Sequence, residues 1–250
     1  MMQDSKIPLT ARSVLASALL GEDPPELPVS HLVHLAGLFG INENRARVAL
    51  SRMVTGGEVT TDGAGRYRLA GHLLERQTRQ NESRLGTSVP WKGEWRMVVS
   101  VTTGRSAEER TARRKRLLLA RLAEQREGFW LRPDNVELRP DPGNDPDLAL
   151  YSGVPDAPPD ELAASLWDLE GWAARAVQLQ GRLDRLTPRG PADLAPGFEL
   201  SAAVLRHLLA DPLLPDELLP ASWPGRALRH TYEGWDRRYR QVLRAWGRSA

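Results

Sequence analysis

Apolar residues recur at helical spacing from Ala11 to Leu20, and Gly21 closes the run. A proline-rich turn follows (Asp23-Pro24-Pro25, then Pro28), after which Ser30 is placed to cap a helix with Leu32, Leu35, Ala36 and Phe39 along one stripe. Gly40-Ile41 is a tight break. Asn42 caps the next helix, Glu43–Thr55, which Gly56-Gly57 stops. Two short extended runs, 58–61 and 66–69, flank a turn at 62–65. Helix, helix, short turn, helix, hairpin is the order of a winged helix-turn-helix.

The pattern then changes. Residues 71–90 are polar and read as a linker helix broken near Gly86 and Pro90. A strand is expected at 95–101, running on toward Thr103, then a long helix over 107–127 and short strands at 129–132 and 136–139 around a Pro133-Asp134-Asn135 turn. A strand-helix-strand start within about sixty residues fits a small α+β sandwich of ferredoxin-like type. Residues 141–160, with five prolines and no base, read as a loop-rich connection. Helical patterns follow at 162–186, 201–209 and 228–246. The class is therefore α+β: an N-terminal winged helix-turn-helix (1–70), the linker helix (71–90), a ferredoxin-like middle domain (91–155) and a C-terminal helical domain (156–250). There is no internal repeat.

Composition narrows the choices. A 41% hydrophobic, 26% charged chain of 250 residues has the makeup of a folded protein. No window approaches the roughly 20 apolar residues of a membrane-spanning helix. Met1 to Thr10 has no apolar core of signal-peptide type, which points to the cytoplasm. Without cysteine there is no disulfide, thiolate nucleophile or Cys-ligated zinc. The net charge is only +2, and just three of the 34 basic residues are lysine, an arginine bias that genomic base composition also produces. The placement of charge says more. Residues 104–132 carry nine bases and four acids, 141–170 eight acids and no base, and 225–250 seven bases and two acids. Local basic surfaces of this kind suit an anionic partner.

On a helical wheel Ala46, Ala49, Leu50 and Met53 form one apolar stripe of the 43–55 helix. The opposite side carries Asn44, Arg47, Val48, Ser51 and Thr55, with Arg45 and Arg52 along one flank. Small or polar residues at the centre let a helix sit deep in a major groove, and arginines reach guanine edges or phosphates. Arg66 and Arg68 alternate outward on the hairpin, where a wing would touch backbone phosphate. Any solvated amphipathic helix also carries arginines outside. The preceding helix, the Gly40 turn and the basic hairpin together favour nucleic acid, although winged helices also serve as protein-binding modules.

Other chemistry is sparse. His31 and His34 lie one turn apart without a third ligand at helical spacing, so they read as solvated helix residues and no metal is expected. No Gly-x-Ser-x-Gly elbow and no glycine-rich phosphate loop is present, so no catalytic residue or cofactor is assigned.

The stretch Gly40-Ile-Asn-Glu-Asn-Arg-Ala-Arg-Val-Ala-Leu-Ser-Arg-Met53 resembles the corresponding helix of the PaaX family of bacterial transcriptional repressors. Ala11-Arg-Ser-Val-Leu15 is similar to that family's opening helix, and Trp91-x-Gly93-x-Trp95 to the start of its middle domain. Leu166-Trp-Asp-Leu169 and the tail Asp211-Pro-Leu-Leu-Pro-Asp-Glu-Leu-Leu-Pro-Ala-Ser-Trp-Pro-Gly225 resemble its C-terminal signatures. Glu58 stands where an aromatic is common in the family.

The resemblance implies a homodimeric repressor on a palindromic double-stranded operator, released by an aryl- or acyl-coenzyme A ester such as phenylacetyl-coenzyme A. Candidates for such an effector are Arg110, Arg113 and Arg114 for the phosphates and Trp130 and Trp172 for the acyl end. The same arginines also read as a solvated face, with Glu109 and Arg113 paired at i, i+4, and core packing accounts for most of the eight tryptophans. The middle domain resembles a small CRISPR-associated nuclease that holds metal on a strand carboxylate, but residues 95–103 contain no acid. A metal-dependent nuclease and a ligand-independent structural DNA binder are the alternative readings.

Overall fold

The computed structural model describes residues 10–101 and 106–247. The reading of the N-terminus over 1–9 and the end of the strand reading at Thr102 and Thr103 lie outside the described residues. The chain is of mixed α+β class and gathers into two compact units that are discontinuous in sequence. The first comprises 1–84, 178–209 and 227–250, and the second 85–177 and 210–226.

The first unit opens with α1 (Ala11–Leu20), capped by Thr10, whose hydroxyl accepts from the Ser13 amide. β1 (Glu26–Pro28), α2 (Val29–Gly37), α3 (Glu43–Thr55), β2 (Val59–Thr61) and β3 (Arg66–Leu69) follow. The strands form an antiparallel sheet in the order β1-β3-β2. The proline-rich turn thus contains a strand, which pairs with a segment forty residues away that local pattern cannot reveal. Pro28, not Ser30, is the N-cap of α2, because the proline fixes an extended residue directly before the first helical turn. Asn42 caps α3 as its sequence suggests, its side-chain oxygen accepting from the Arg45 amide at 2.9 Å.

Four helices contribute the rest of this unit among the described residues: α4 (Gly71–Leu85), the second half of α7 (Leu169–Arg185), α8 (Leu194–Leu209) and most of α9 (Gly225–Gly247). Gly71 has φ +50°, and a Cβ there would lie 2.7 Å from the Gly57 carbonyl, so only glycine lets α4 start against the hairpin. Gln77 donates to the Glu22 carbonyl at 2.8 Å, fixing α4 to the end of α1. α8 and α9 meet closely at Gly197, where a Cβ would stand 2.6 Å from the Tyr239 ring. Tyr239 stacks on Trp235, and its hydroxyl donates to the Leu194 carbonyl at 3.0 Å. α8 begins at Leu194, earlier than residue 201, because Pro196 falls in its first turn, where no helical N–H is lost.

The second unit is built on β4 (Trp95–Ser100), α5 (Ala107–Leu119), β5 (Ala123–Arg126), β6 (Phe129–Pro133) and β7 (Leu148–Gly153), with α6 (Pro159–Leu166) after them. The antiparallel order β5-β6-β4-β7 is that of a ferredoxin-like sheet. Alternation divides its faces. Val98, Trp130, Leu148 and Leu150 pack beneath Leu117 and Ala120 of α5. Trp95, Met97, Phe129 and Leu131 meet Leu162, Leu214 and Leu218 on the other side.

Four expectations change here. The helix expected over 107–127 ends at Leu119, because Arg121 turns in the left-handed region (φ 62°) and β5 peels off to pair with β6. No strand forms at 136–139. The fourth strand is β7, inside the stretch read as loop, where Leu148–Gly153 pairs along the whole of β4. The helix expected over 162–186 is two, since Trp167 is extended and the Asp168 carboxylate accepts from the Gly171 amide to start α7 anew.

The tail signature has a structural reason. Arg132 is fully buried and donates to the carbonyls of Arg121, Pro133 and Leu213 and to the Asn135 side chain. Burial pulls it down to about 9, so it is still a cation at neutral pH, solvated by carbonyl oxygens and favoured by the charges of Asp134 and Asp211. Asp211 accepts from the Leu213 amide within the same knot, and Trp223 stacks on Trp172 at 4.5 Å.

Candidate nucleic-acid interface

The wheel drawn for α3 matches the face it presents except at Ala49, placed on the apolar stripe but only half-buried here and lining an open hollow. Ala46, Leu50 and Met53 are buried against the helices of the first unit, and Asn44, Arg45, Arg47, Val48, Ser51 and Arg52 are exposed. Val48 is 45% exposed, an apolar residue left in the middle of a polar face.

The arginines of this face are not equivalent. Arg47 is held by Glu43 one turn earlier, Nε to Oε1 at 2.7 Å, with both side chains more than half exposed. Arg45 and Arg52, among the described residues, have neither a hydrogen-bonding side chain nor an ion-pair partner. They line, with Arg12 and Val48, an open hollow of about 460 Å³ between the start of α1 and α3. Glu58 stands at its edge, and Arg12 grips both of its oxygens, Nε at 2.8 and 3.0 Å. That pairing explains an acid at this position: it joins the hairpin to α1. The hydrogen bond from Arg12 holds the Glu58 carboxyl below the usual carboxylate range.

On the hairpin, Arg66 and Arg68 project to the same side, and both are exposed. Both converge on Glu26 of β1, which lies directly across from Arg68, at 2.9 and 2.5 Å. The hydrogen bonds from Arg68 and then Arg66 lower the Glu26 carboxyl. The tip is closed by Asp62, whose Oδ1 accepts from the Ala64 and Arg66 amides. Sequence reasoning found the cations and missed their partners. The Glu43–Arg47 spacing was visible along the helix, whereas Glu26 reaches the hairpin only through sheet pairing.

The effector candidates are dispersed within the second unit. Arg113 is buried, bound to Asp145 at 3.2 Å, Asp147 at 2.9 Å and Ser100 Oγ at 3.1 Å. Arg116 joins it on Asp145. The acidic stretch is thus the internal partner of the basic helix α5, and Glu109 closes a capping box with Ser106. Arg114 pairs with Glu124 and lies over the Trp130 ring, 5.3 Å from its centroid. Arg110 is exposed. Trp130 belongs to the core under α5, and Trp172 is stacked on Trp223. The structure brings Arg114 to Trp130 and sets Trp172 in a separate cluster.

His34 stacks on Trp246 at 3.8 Å, so it is a packed residue and not a solvated one. Among the described residues no group of three or more His, Asp or Glu side chains is placed to hold a metal ion, and no helix is long and apolar enough to cross a membrane.

Comparison with known proteins matches two families to this chain: PaaX-like protein over residues 10–73, which covers α1 to β3, and the PaaX-like protein C-terminal domain over residues 167–248. Among solved structures the chain is similar to an uncharacterized protein from Mycobacterium tuberculosis. The two share 40% identity over 94% of this chain and 98% of that one, with a TM-score of 0.74. No curated protein matches.

Proposed function

The chain belongs to the PaaX-like protein family, and from that premise we propose that it is a sequence-specific DNA-binding transcriptional repressor acting as a homodimer on a palindromic operator. The observation that carries this reading is α3: capped at its start, seated on the core by Ala46, Leu50 and Met53, and presenting Asn44, Arg45, Arg47, Val48, Ser51 and Arg52 to solvent. On this reading α1, α2, α3 and the three-stranded sheet are a winged helix-turn-helix, with β2 and β3 as the wing. Asn44, Arg47 and Ser51 read base edges, and Val48 meets a thymine methyl. Arg45 and Arg52 clamp phosphate in the hollow beside the start of α1, whose amides and dipole favour an anion. Arg66 and Arg68 follow the backbone from the wing. Release by an aryl- or acyl-coenzyme A ester is the regulation that the family resemblance implies.

The role is regulatory and not catalytic, and a metal-dependent nuclease lacks a carboxylate on β4 to anchor its ion. The test is a titration of Arg47→Ala against operator and unrelated duplex. The variant loses about 1–3 kcal/mol on operator, or about 5- to 150-fold, and discriminates less between the two. Unchanged affinity and discrimination would show that another surface reads the DNA.

A further inference from the structure

α1, α2, α4, α8 and α9 surround a cavity of about 410 Å³ within the first unit. That lies in the range of small-molecule sites, about 300–1,000 Å³. Leu20, Leu35, Phe198 and Leu205 give it an apolar wall, and six arginines against four carboxylates give it an excess of positive charge.

Three of the six arginines are matched by carboxylates. Arg240 binds Asp236 at 2.7 Å, and Arg84 and Arg237 share Glu233 at 3.5 and 3.9 Å. Arg76 and Arg206 differ. Among the described residues neither has a carboxylate partner, nor has Arg244 beside them; Arg76 is half-buried, and Arg206 and Arg244 are exposed. Burial, followed by repulsion from Arg206, holds Arg76 below the ordinary arginine range. Two cations without carboxylate partners that line one partly apolar cavity become favourable when an anion lies between them.

We propose that this cavity binds a small organic anion, its acid group held between Arg76 and Arg206 and its apolar body against Leu20, Leu35, Phe198 and Leu205. The source of the anion is a free carboxylic acid or the anionic end of a thioester. The consequence for regulation rests on the DNA-binding reading; the binding step does not. α1 and α2 each form part of the cavity wall, and both pack on α3. A ligand that favours one setting of α1 and α2 therefore shifts the setting of α3.

The probe is 1-anilinonaphthalene-8-sulfonate, an aromatic anion whose fluorescence rises in apolar sites, titrated into the full chain. Binding is saturable with one site per chain, and it weakens about tenfold or more in Arg76→Gln/Arg206→Gln. It is unchanged in Lys92→Gln, an exposed position of the second unit. Thermal unfolding of the double Gln variant followed by circular dichroism, with a cooperative transition retained, separates loss of binding from loss of fold. Octanoate, 4-phenylbutyrate and octanoyl-coenzyme A are then added as competitors. Displacement by the acids alone identifies a free acid, and displacement by the thioester alone identifies a thioester. Unsaturable dye binding, equal binding by the double variant, or displacement by none of the three overturns the site. Operator affinity measured with the effective competitor separates the two claims: a bound ligand with unaltered operator affinity removes the coupling, and absent operator binding removes the DNA reading while the site stands.

Discussion

Glu58 shows how a single residue departs from its family pattern for a local reason. Its carboxylate is only 14% exposed and takes a two-oxygen grip from Arg12. In the unfolded chain a glutamate titrates near 4.3, and in the fold it titrates lower. A depressed carboxyl adds stability above its unfolded value, and that contribution disappears as pH falls through the folded value. Glu58→Gln therefore lowers stability at pH 7 by about 1 kcal/mol, a figure kept small because Arg12 is half-exposed. At pH 3 the gap narrows. Urea unfolding at both pH values checks this, and an equal gap at both would show that the pairing adds nothing. None of this was legible from residue 58 alone, since Arg12 lies 46 residues away.

At the scale of elements, local patterns were legible and pairings were not. α1 and α3 have the ends that their caps and glycines specify, and the exposed face of α3 is the one its 3.6-residue period gives. β1 and β7 were hidden because each is flanked by prolines and depends on a distant partner, and β1 has only three residues. The same gap hid the wing's electrostatics. Glu26 already occupies Arg66 and Arg68, so on the proposed reading DNA must compete with a carboxylate for both. Glu26→Gln frees them. It raises affinity for all duplexes alike and steepens the dependence of log K on log salt by about one unit or more, without changing sequence preference. Filter binding from low to moderate salt measures both. A variant with parental slope and affinity would show that the wing does not touch phosphate.

At the scale of the whole molecule, the linear division of the chain and its compact units are different descriptions. Residues 178–209 and 227–250 gather with the N-terminal unit, and 210–226 with the sheet of the second. Sequence order alone could not show this, because the tail signature packs on a buried Arg132 through the Leu213 carbonyl, 81 residues on. The cavity was hidden for the same reason, being assembled from three separate stretches of chain. The central claim concerns what this assembly binds, and selection from a pool of random duplexes tests it most directly. The account predicts enrichment of one palindromic site with half-sites about one helical turn apart, or a multiple of it, and two chains on each duplex by sedimentation. Failure of any sequence to enrich over the starting pool, with duplex retained only at low salt, would contradict it.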